Sequence, residues 1–180
     1  ATYSTFRQRA FDELIHDVCA QDLPVTFCID RGGLSGADGE THQGIFDLSY
    51  LSLIPNIAIA VPKDGEELKD MLDFSLGYGH PLAIRYPRSA RASFGRKRKV
   101  ALGTFEYLTE KTDNDLTVLA AGERAVSLAF ELRESTGVAF DVVNARFVKP
   151  LDEELLKNIR SPRIITIEDN VRRGGLGDQI

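Results

Sequence analysis

Short apolar runs alternate with stretches of helical periodicity along this chain, and that alternation most limits its fold. The runs occupy residues 25–29, 56–61, 82–85, 116–121, 140–144 and 164–168. Between them, residues 3–20, 46–54, 64–76, 123–134 and 152–159 carry apolar side chains at helical spacing. In 3–20 the stripe is Phe6, Ala10, Leu14 and Val18, widened by Phe11 and Ile15. In 64–76 the inward set is Leu68, Met71, Leu72 and Leu76, with Asp64 and Glu67 as a capping pair. In 123–134 it is Ala125, Leu128, Ala129 and Leu132. Strand–helix alternation of this kind builds mostly parallel sheets covered by helices. The predicted class is α/β, with two three-layer domains.

The break falls at residues 89–99, where Arg91, Arg96, Lys97, Arg98 and Lys99 stand among few apolar residues. A solvated linker is expected there, with a nucleic-acid patch or targeting signal as the competing reading. This divides the chain into 1–88 and 100–180. A last helix starts near Arg172-Arg173-Gly174-Gly175, just before the chain stops at Ile180, so both domains are expected to be incomplete. The net charge of −5 argues against a general nucleic-acid partner. No long uncharged apolar run is present to span a membrane. Arg7, Arg9 and Asp12 already charge the first twelve residues, unlike a secretory signal. Cys19 and Cys28 form no metal or redox motif and read as reduced structural thiols of a cytoplasmic protein.

The chemistry concentrates in residues 30–44, where five glycines (32, 33, 36, 39 and 44) separate Arg31, Asp38, Glu40 and His42. This loop follows the apolar run 25–29, so it leaves the carboxyl end of a strand, where ligands bind in parallel sheets. Arg88 follows the run 82–85 in the same way. Guanidinium groups hold phosphate in a planar, bidentate manner, so Arg31 and Arg88 can grip one phosphorylated ligand. Ordinary pairing with some of the 27 acidic residues is the competing reading. His42 can act as a general acid or base. Asp38 can orient it or bind a substrate hydroxyl. The spacing of Asp38, Glu40 and His42 matches neither a zinc nor a calcium site, so no metal ligand is assigned. Glu40 is expected to face solvent, and His16 and His80 to be structural or exposed. Tyr3 lies off the apolar stripe, and an aromatic at a helix start can stack on a flat heterocycle. Arg9 is close enough in sequence to face the same cavity.

Several motifs then converge on one family. Tyr-Ser-Thr-Phe-x-Gln-Arg-Ala (3–10), Ile-Asp-Arg-x-Gly-x-x-Gly-Ala-Asp-Gly-x-Thr-His-Gln-Gly (29–44), Phe-Asp-Leu-Ser-Tyr-Leu (46–51), Arg-Tyr-Pro-Arg (85–88) and Arg-Phe-Val-Lys-Pro-Leu-Asp (146–152) together resemble the 1-deoxy-D-xylulose-5-phosphate synthases, which are transketolase-like enzymes. The resemblance implies a condensation of pyruvate with D-glyceraldehyde 3-phosphate that releases carbon dioxide. Its product would feed isoprenoid precursor, thiamine and pyridoxal synthesis. It implies thiamine diphosphate and Mg2+ as cofactors, and a homodimer in the bacterial cytoplasm or the plastid. Residues 1–88 would be the later part of a pyrimidine-binding domain, and 100–180 the first part of the C-terminal domain. Carried over by position, Tyr3, Phe6 and Arg9 line the thiamine pocket, Arg31 and Arg88 hold the triose phosphate, and Asp38 and His42 meet the substrate, with His42 moving the proton. Ser89 departs from the family's glycine. The diphosphate- and metal-binding domain and the activating glutamate are missing, so the chain alone is expected to be inactive. Another transketolase-like enzyme, such as a 2-oxoacid dehydrogenase β-subunit, or a non-catalytic binding module on the same fold, are the alternatives.

Overall fold

The computed structural model describes residues 1–88, 92–95, 98–112 and 114–180. Ser89, Arg91, Arg96 and Lys97, on which part of the linker reading rests, lie outside the described residues. Two mixed, mostly parallel sheets make up the fold, as the alternation of apolar runs predicts.

The first half begins with a short strand, β1 (Thr2–Tyr3), followed by a helical run whose geometry changes along its length. It opens as α1 (Ser4–Arg7), tightens to a 3-10 turn at Gln8–Ala10, and resumes as α2 (Phe11–Glu13). It then widens to π geometry over Leu14–Cys19. This corrects the expected even stripe. A 3-10 residue turns further than an α residue, so three of them rotate the face by roughly 60°. Leu14 and Cys19 are buried, Phe11, Ile15 and Val18 pack against the core, and Phe6 is left outside it, 51% exposed.

The next elements are β2 (Thr26–Asp30), α3 (Asp47–Ser52), β3 (Ala58–Ala60), α4 (Gly65–Tyr78) and β4 (Leu82–Arg85). Strands β1, β2, β4 and β3 lie side by side and parallel. In the register Tyr3 is level with Asp30, and Ile29 with Arg85. The Asp64 side chain caps α4 by accepting from Glu67 N–H, and Glu67 reaches back to Lys63 N–H. Met71 is buried, and Leu68, Phe74 and Tyr78 complete the inward stripe. Leu72 and Leu76 are exposed, contrary to expectation, because the aromatic residues at 74 and 78 hold the packing face.

The second half contributes β5 (Glu106–Tyr107), β6 (Leu116–Ala120), α5 (Glu123–Thr136) and β7 (Asp141–Asn144). It continues with β8 (Phe147–Lys149), α6 (Glu153–Lys157), β9 (Arg163–Ile167) and α7 (Leu176–Gln179). The four-stranded sheet runs β5-β7-β6-β9, parallel except for the edge strand β5. Ala125, Val126 and Ala129 bury the inner face of α5, while Leu128 and Leu132 stay exposed. Strand β8 does not join this sheet. It crosses back and pairs antiparallel with β3, closing the order β1-β2-β4-β3-β8.

A buried ionic cluster stands behind that crossing. Glu67 of α4 faces Lys63 at 3.4 Å and Arg146 at 3.2 Å, and accepts from the Asn144 side-chain amide. Lys63 also reaches Glu106 at 3.1 Å. Arg146 donates further to the carbonyls of Arg98, Lys99 and Thr104. Two cations and two carboxylates thus balance in a place where an unpaired charge would be strongly unfavourable.

Candidate active site

The loop after β2 leaves the sheet at Asp30 and closes on itself at Gly44. Gly33 and Gly44 pair across its neck through two backbone hydrogen bonds, at 2.7 and 2.8 Å. Small residues are obligatory there. A Cβ on Gly44 would lie 2.2 Å from the Arg31 carbonyl oxygen and 2.8 Å from the Ser4 side chain. A Cβ on Gly32 would meet the Arg85 side chain. Inside the loop, Gln43 acts as a brace. Its amide donates to the carbonyls of Ser35 and Gly39, and its oxygen accepts from Ser35 N–H. The backbone then forms two 3-10 turns, Gly36–Asp38 and Glu40–His42, joined at Gly39 with φ 76°.

Arg31 holds a left-handed backbone conformation, φ 58°. Such strain in a non-glycine residue persists where neighbours enforce it. Here the Asp30 carboxylate accepts from both Arg31 N–H and its guanidinium. The guanidinium lies over the Tyr3 ring, 3.7 Å from the centroid, and its Nε donates to Asp38 Oδ2 at 2.8 Å. The other oxygen of Asp38 accepts from Arg88 at 2.9 Å. Ser35 Oγ donates to Asp38 as well. That Ser35 hydrogen bond lowers the Asp38 pKa, partial burial opposes it, and the two guanidiniums lower it further. Partial burial would lower the Arg31 pKa, but Asp38 and Asp30 more than reverse the effect.

Tyr3 and Phe6 stack with ring centroids 5.4 Å apart. His42 stands edge-on to both, 6.4 Å from Tyr3 and 5.3 Å from Phe6. Its Nδ1 is 2.9 Å from Thr41 Oγ1. The expected orientation of His42 by Asp38 is therefore corrected: Asp38 serves the two arginines, and Thr41 is the histidine's partner. Tyr3, Phe6, Arg31, Asp38, His42 and Arg88 form one connected group. Arg9 stands apart from it, exposed on the Gln8–Ala10 turn. Glu40 is exposed. His16 and His80 are exposed and pair with Asp12 and Asp22. Beside the arginines a cavity of about 710 Å³ opens between the loop and α5, lined in part by Ser35, Arg88, Arg124 and Ser127.

Beneath the loop lies a set of residues that sequence reasoning missed. Arg85, buried at the end of β4, pairs with Asp47 at 3.2 Å and with Asp169. It also donates to the carbonyls of Gly44 and Asp169. Ser4 Oγ donates to Asp47. Burial would lower the Arg85 pKa, and the two carboxylates overcome it and raise it. The available signal was position: an arginine closing the apolar run 82–85 and an aspartate following 164–168 both sit at strand ends. Among the described residues no group of three or more His, Cys, Asp or Glu side chains is arranged to hold a metal ion. No described helix is long and apolar enough to cross a membrane.

The family model described as "Transketolase, pyrimidine binding domain" matches residues 1–92, and that described as "Transketolase, C-terminal domain" matches residues 105–180. The chain belongs to the transketolase family. Over its whole length this transketolase-family chain is 50% identical to the 1-deoxy-D-xylulose-5-phosphate synthase of Caldanaerobacter subterraneus and 47% identical to that of Aquifex aeolicus. It is 43% identical to the Clostridium perfringens synthase. The likeness read in the motifs thus extends along the whole chain. The chain spans 29–30% of the length of these relatives. Among solved structures it superimposes on a split-gene transketolase, described as an inactive β4 tetramer, with a TM-score of 0.85 and 28% identity, covering 98% of this chain and 58% of the other. A transketolase variant from Pichia stipitis shares the fold at a TM-score of 0.75 and 23% identity, over 92% of this chain and 26% of the other.

Proposed function

We propose that the chain forms part of a thiamine diphosphate-dependent 1-deoxy-D-xylulose-5-phosphate synthase, joining pyruvate to D-glyceraldehyde 3-phosphate with loss of carbon dioxide. The observation that carries this reading is the convergence of Arg31 and Arg88 on the two oxygens of Asp38, beside His42 and an open aromatic pair. Two guanidiniums at neighbouring strand ends suit a phosphate monoester. A phosphate that takes over either guanidinium frees one oxygen of Asp38 for a hydroxyl of the acceptor. In this reading His42, at the edge of the aromatic pair, gives or takes a proton at the reacting carbonyl end.

The donor set fits the cofactor's flat ring. Tyr3 and Phe6 present a stacked apolar platform, and Phe6 is half exposed. Thiamine diphosphate, when bound, supplies the stabilised carbanion chemistry that the side chains lack. Tyr3 and Phe6 would line its pyrimidine, while Arg9, exposed on the Gln8–Ala10 turn, stands apart from them. Its diphosphate and Mg2+ would be held by parts of the enzyme outside these 180 residues. In this reading residues 1–88 serve the pyrimidine side and 100–180 the C-terminal domain of a homodimeric enzyme. The chain by itself is inactive. The enzyme would work in the bacterial cytoplasm, or in the plastid for a plant-type source, and supply isoprenoid, thiamine and pyridoxal synthesis.

The test is direct. The complete enzyme that carries this chain, given thiamine diphosphate, Mg2+, pyruvate and the triose phosphate, is expected to form deoxyxylulose phosphate. No product, or transfer to a lipoyl acceptor in its place, would overturn the reading.

A further inference from the structure

We infer that Asp169, from the region matched by the C-terminal domain model, is a positioning residue for the arginine loop. The inference rests on the function proposed above for what the loop binds, but not for how the loop is held.

Asp169 lies 84 residues beyond Arg85, and its carboxylate is 15% exposed. It follows β9, so the second sheet carries it, while Arg85, which its carboxylate and carbonyl both hold, belongs to the first half. Its carboxylate takes Nη1 of Arg85 and its carbonyl takes Nη2. The same Nη2 donates to the Gly44 carbonyl at the closing end of the loop. At the opening end, Gly33 adopts φ 81°, and a Cβ there would lie 1.9 Å from Asp169 Oδ2. The carboxylate therefore fills the space against the Gly33–Gly44 bridge, gripping Arg85 on one side and abutting the loop neck on the other. Asp47 supplies the opposing charge on Arg85, and Ser4 fixes Asp47.

Arg31 and Asp38 touch neither Asp47 nor Asp169 through any hydrogen bond or ion pair described. Their geometry instead depends on where the neck lies, and the neck is set by Arg85 held between two carboxylates. With Asp169 removed, Arg85 keeps Asp47 but loses the charge that draws its outer nitrogens toward Gly44. The neck then loses both its packing partner and the orientation of its hydrogen-bond donor. Asp169 thus serves the site through Arg85 and the loop neck, and it also stands in the wall of the cavity beside the arginines, with Arg124 and Ser127.

The experiment compares hydrogen exchange and kinetics in the complete enzyme and its Asp169→Ala and Asp169→Asn variants. Amides of residues 32–44 in Asp169→Ala are expected to exchange about ten-fold faster, the weight of one lost charge-assisted hydrogen bond, while β3 amides keep their rates. KM for the triose phosphate is expected to rise by about the same factor, with KM for pyruvate unchanged. Asp169→Asn preserves shape and one acceptor, and is expected to fall between. It also keeps the test open if the alanine variant does not fold. Unchanged loop exchange, or an equal rise in β3 and loop, overturns the inference. If the parent enzyme proves not to make deoxyxylulose phosphate, the proposed function falls, and the exchange comparison alone decides the role of Asp169.

Discussion

Arg88 donates to Asp38 at 2.9 Å across 50 residues of sequence, and through that contact two strand ends share one carboxylate. Arg31 occupies the other oxygen. The two guanidiniums of the proposed anion site are thus held in register by an acid that a ligand would partly displace.

Replacing either arginine should reveal which substrate it serves. Arg31→Ala and Arg88→Ala are each expected to raise KM for the triose phosphate by loss of a charge-assisted contact of roughly 1.5–3 kcal/mol, with little change in KM for pyruvate. Steady-state kinetics of the complete enzyme with each substrate varied in turn would show it. Equal effects on both substrates would contradict the assignment.

Asp38 sets a pH expectation. Its pKa is depressed below the ordinary carboxylate value of 3.8. A depressed carboxylate stays ionised above its unfolded value, and its contribution is lost only as pH falls through the folded value. The clamp should therefore be constant from weakly acidic to weakly alkaline pH. The ratio of triose phosphate KM between wild type and Asp38→Asn is expected to stay level across that span. A ratio that drifts near neutrality would mean that Asp38 titrates there.

The neck of the loop separates two kinds of glycine. Gly44→Ala is expected to destabilise the enzyme by about 1–3 kcal/mol, because its Cβ meets the Arg31 carbonyl and Ser4 with no room to move. Gly36 has nothing within 4 Å of a built Cβ, so Gly36→Ala should be tolerated. Thermal unfolding of the two variants distinguishes them, and similar melting temperatures would count against the clamp.

The buried ionic cluster gives a stability expectation. Arg146 and Glu67 side chains are 1% and 2% exposed. Arg146→Met leaves Glu67 with Lys63 as its remaining cation, and breaking a buried pair in this way costs about 3–5 kcal/mol. Denaturant unfolding of the complete enzyme measures the loss. A change below about 1 kcal/mol would place the pair with ordinary surface ion pairs.

Much of this was legible in the chain. The apolar runs located β2, β3, β4, β6, β7 and β9, because strands of a covered parallel sheet read as apolar stretches, whereas β1, β5 and β8 lie outside those runs. The glycine spacing marked the loop. What pattern could not show was which acid each arginine meets. Arg31 and Arg88 were expected to face a ligand, and both also hold Asp38. Phe6 was expected inside, but the 3-10 turn at Gln8–Ala10 breaks the phase on which that expectation rested. Leu76, 87% exposed, failed for a related reason: two aromatic residues outcompeted leucines for the inward face of α4. Asp47, Arg85 and Asp169 escaped notice because their meaning lies in contacts between distant segments.

The return of β8 to the first sheet bears on how such enzymes can be recombined. A chimera that exchanges everything after residue 100 would replace Phe147–Lys149 along with the second sheet. Ile59 and Ala60, now fully covered, would then meet a foreign strand, and a poor match would bare an apolar sheet edge. Glu67 would meanwhile face a new partner in place of Arg146. The seam for swapping is therefore a paired surface of strand and charge, to be matched on both sides at once.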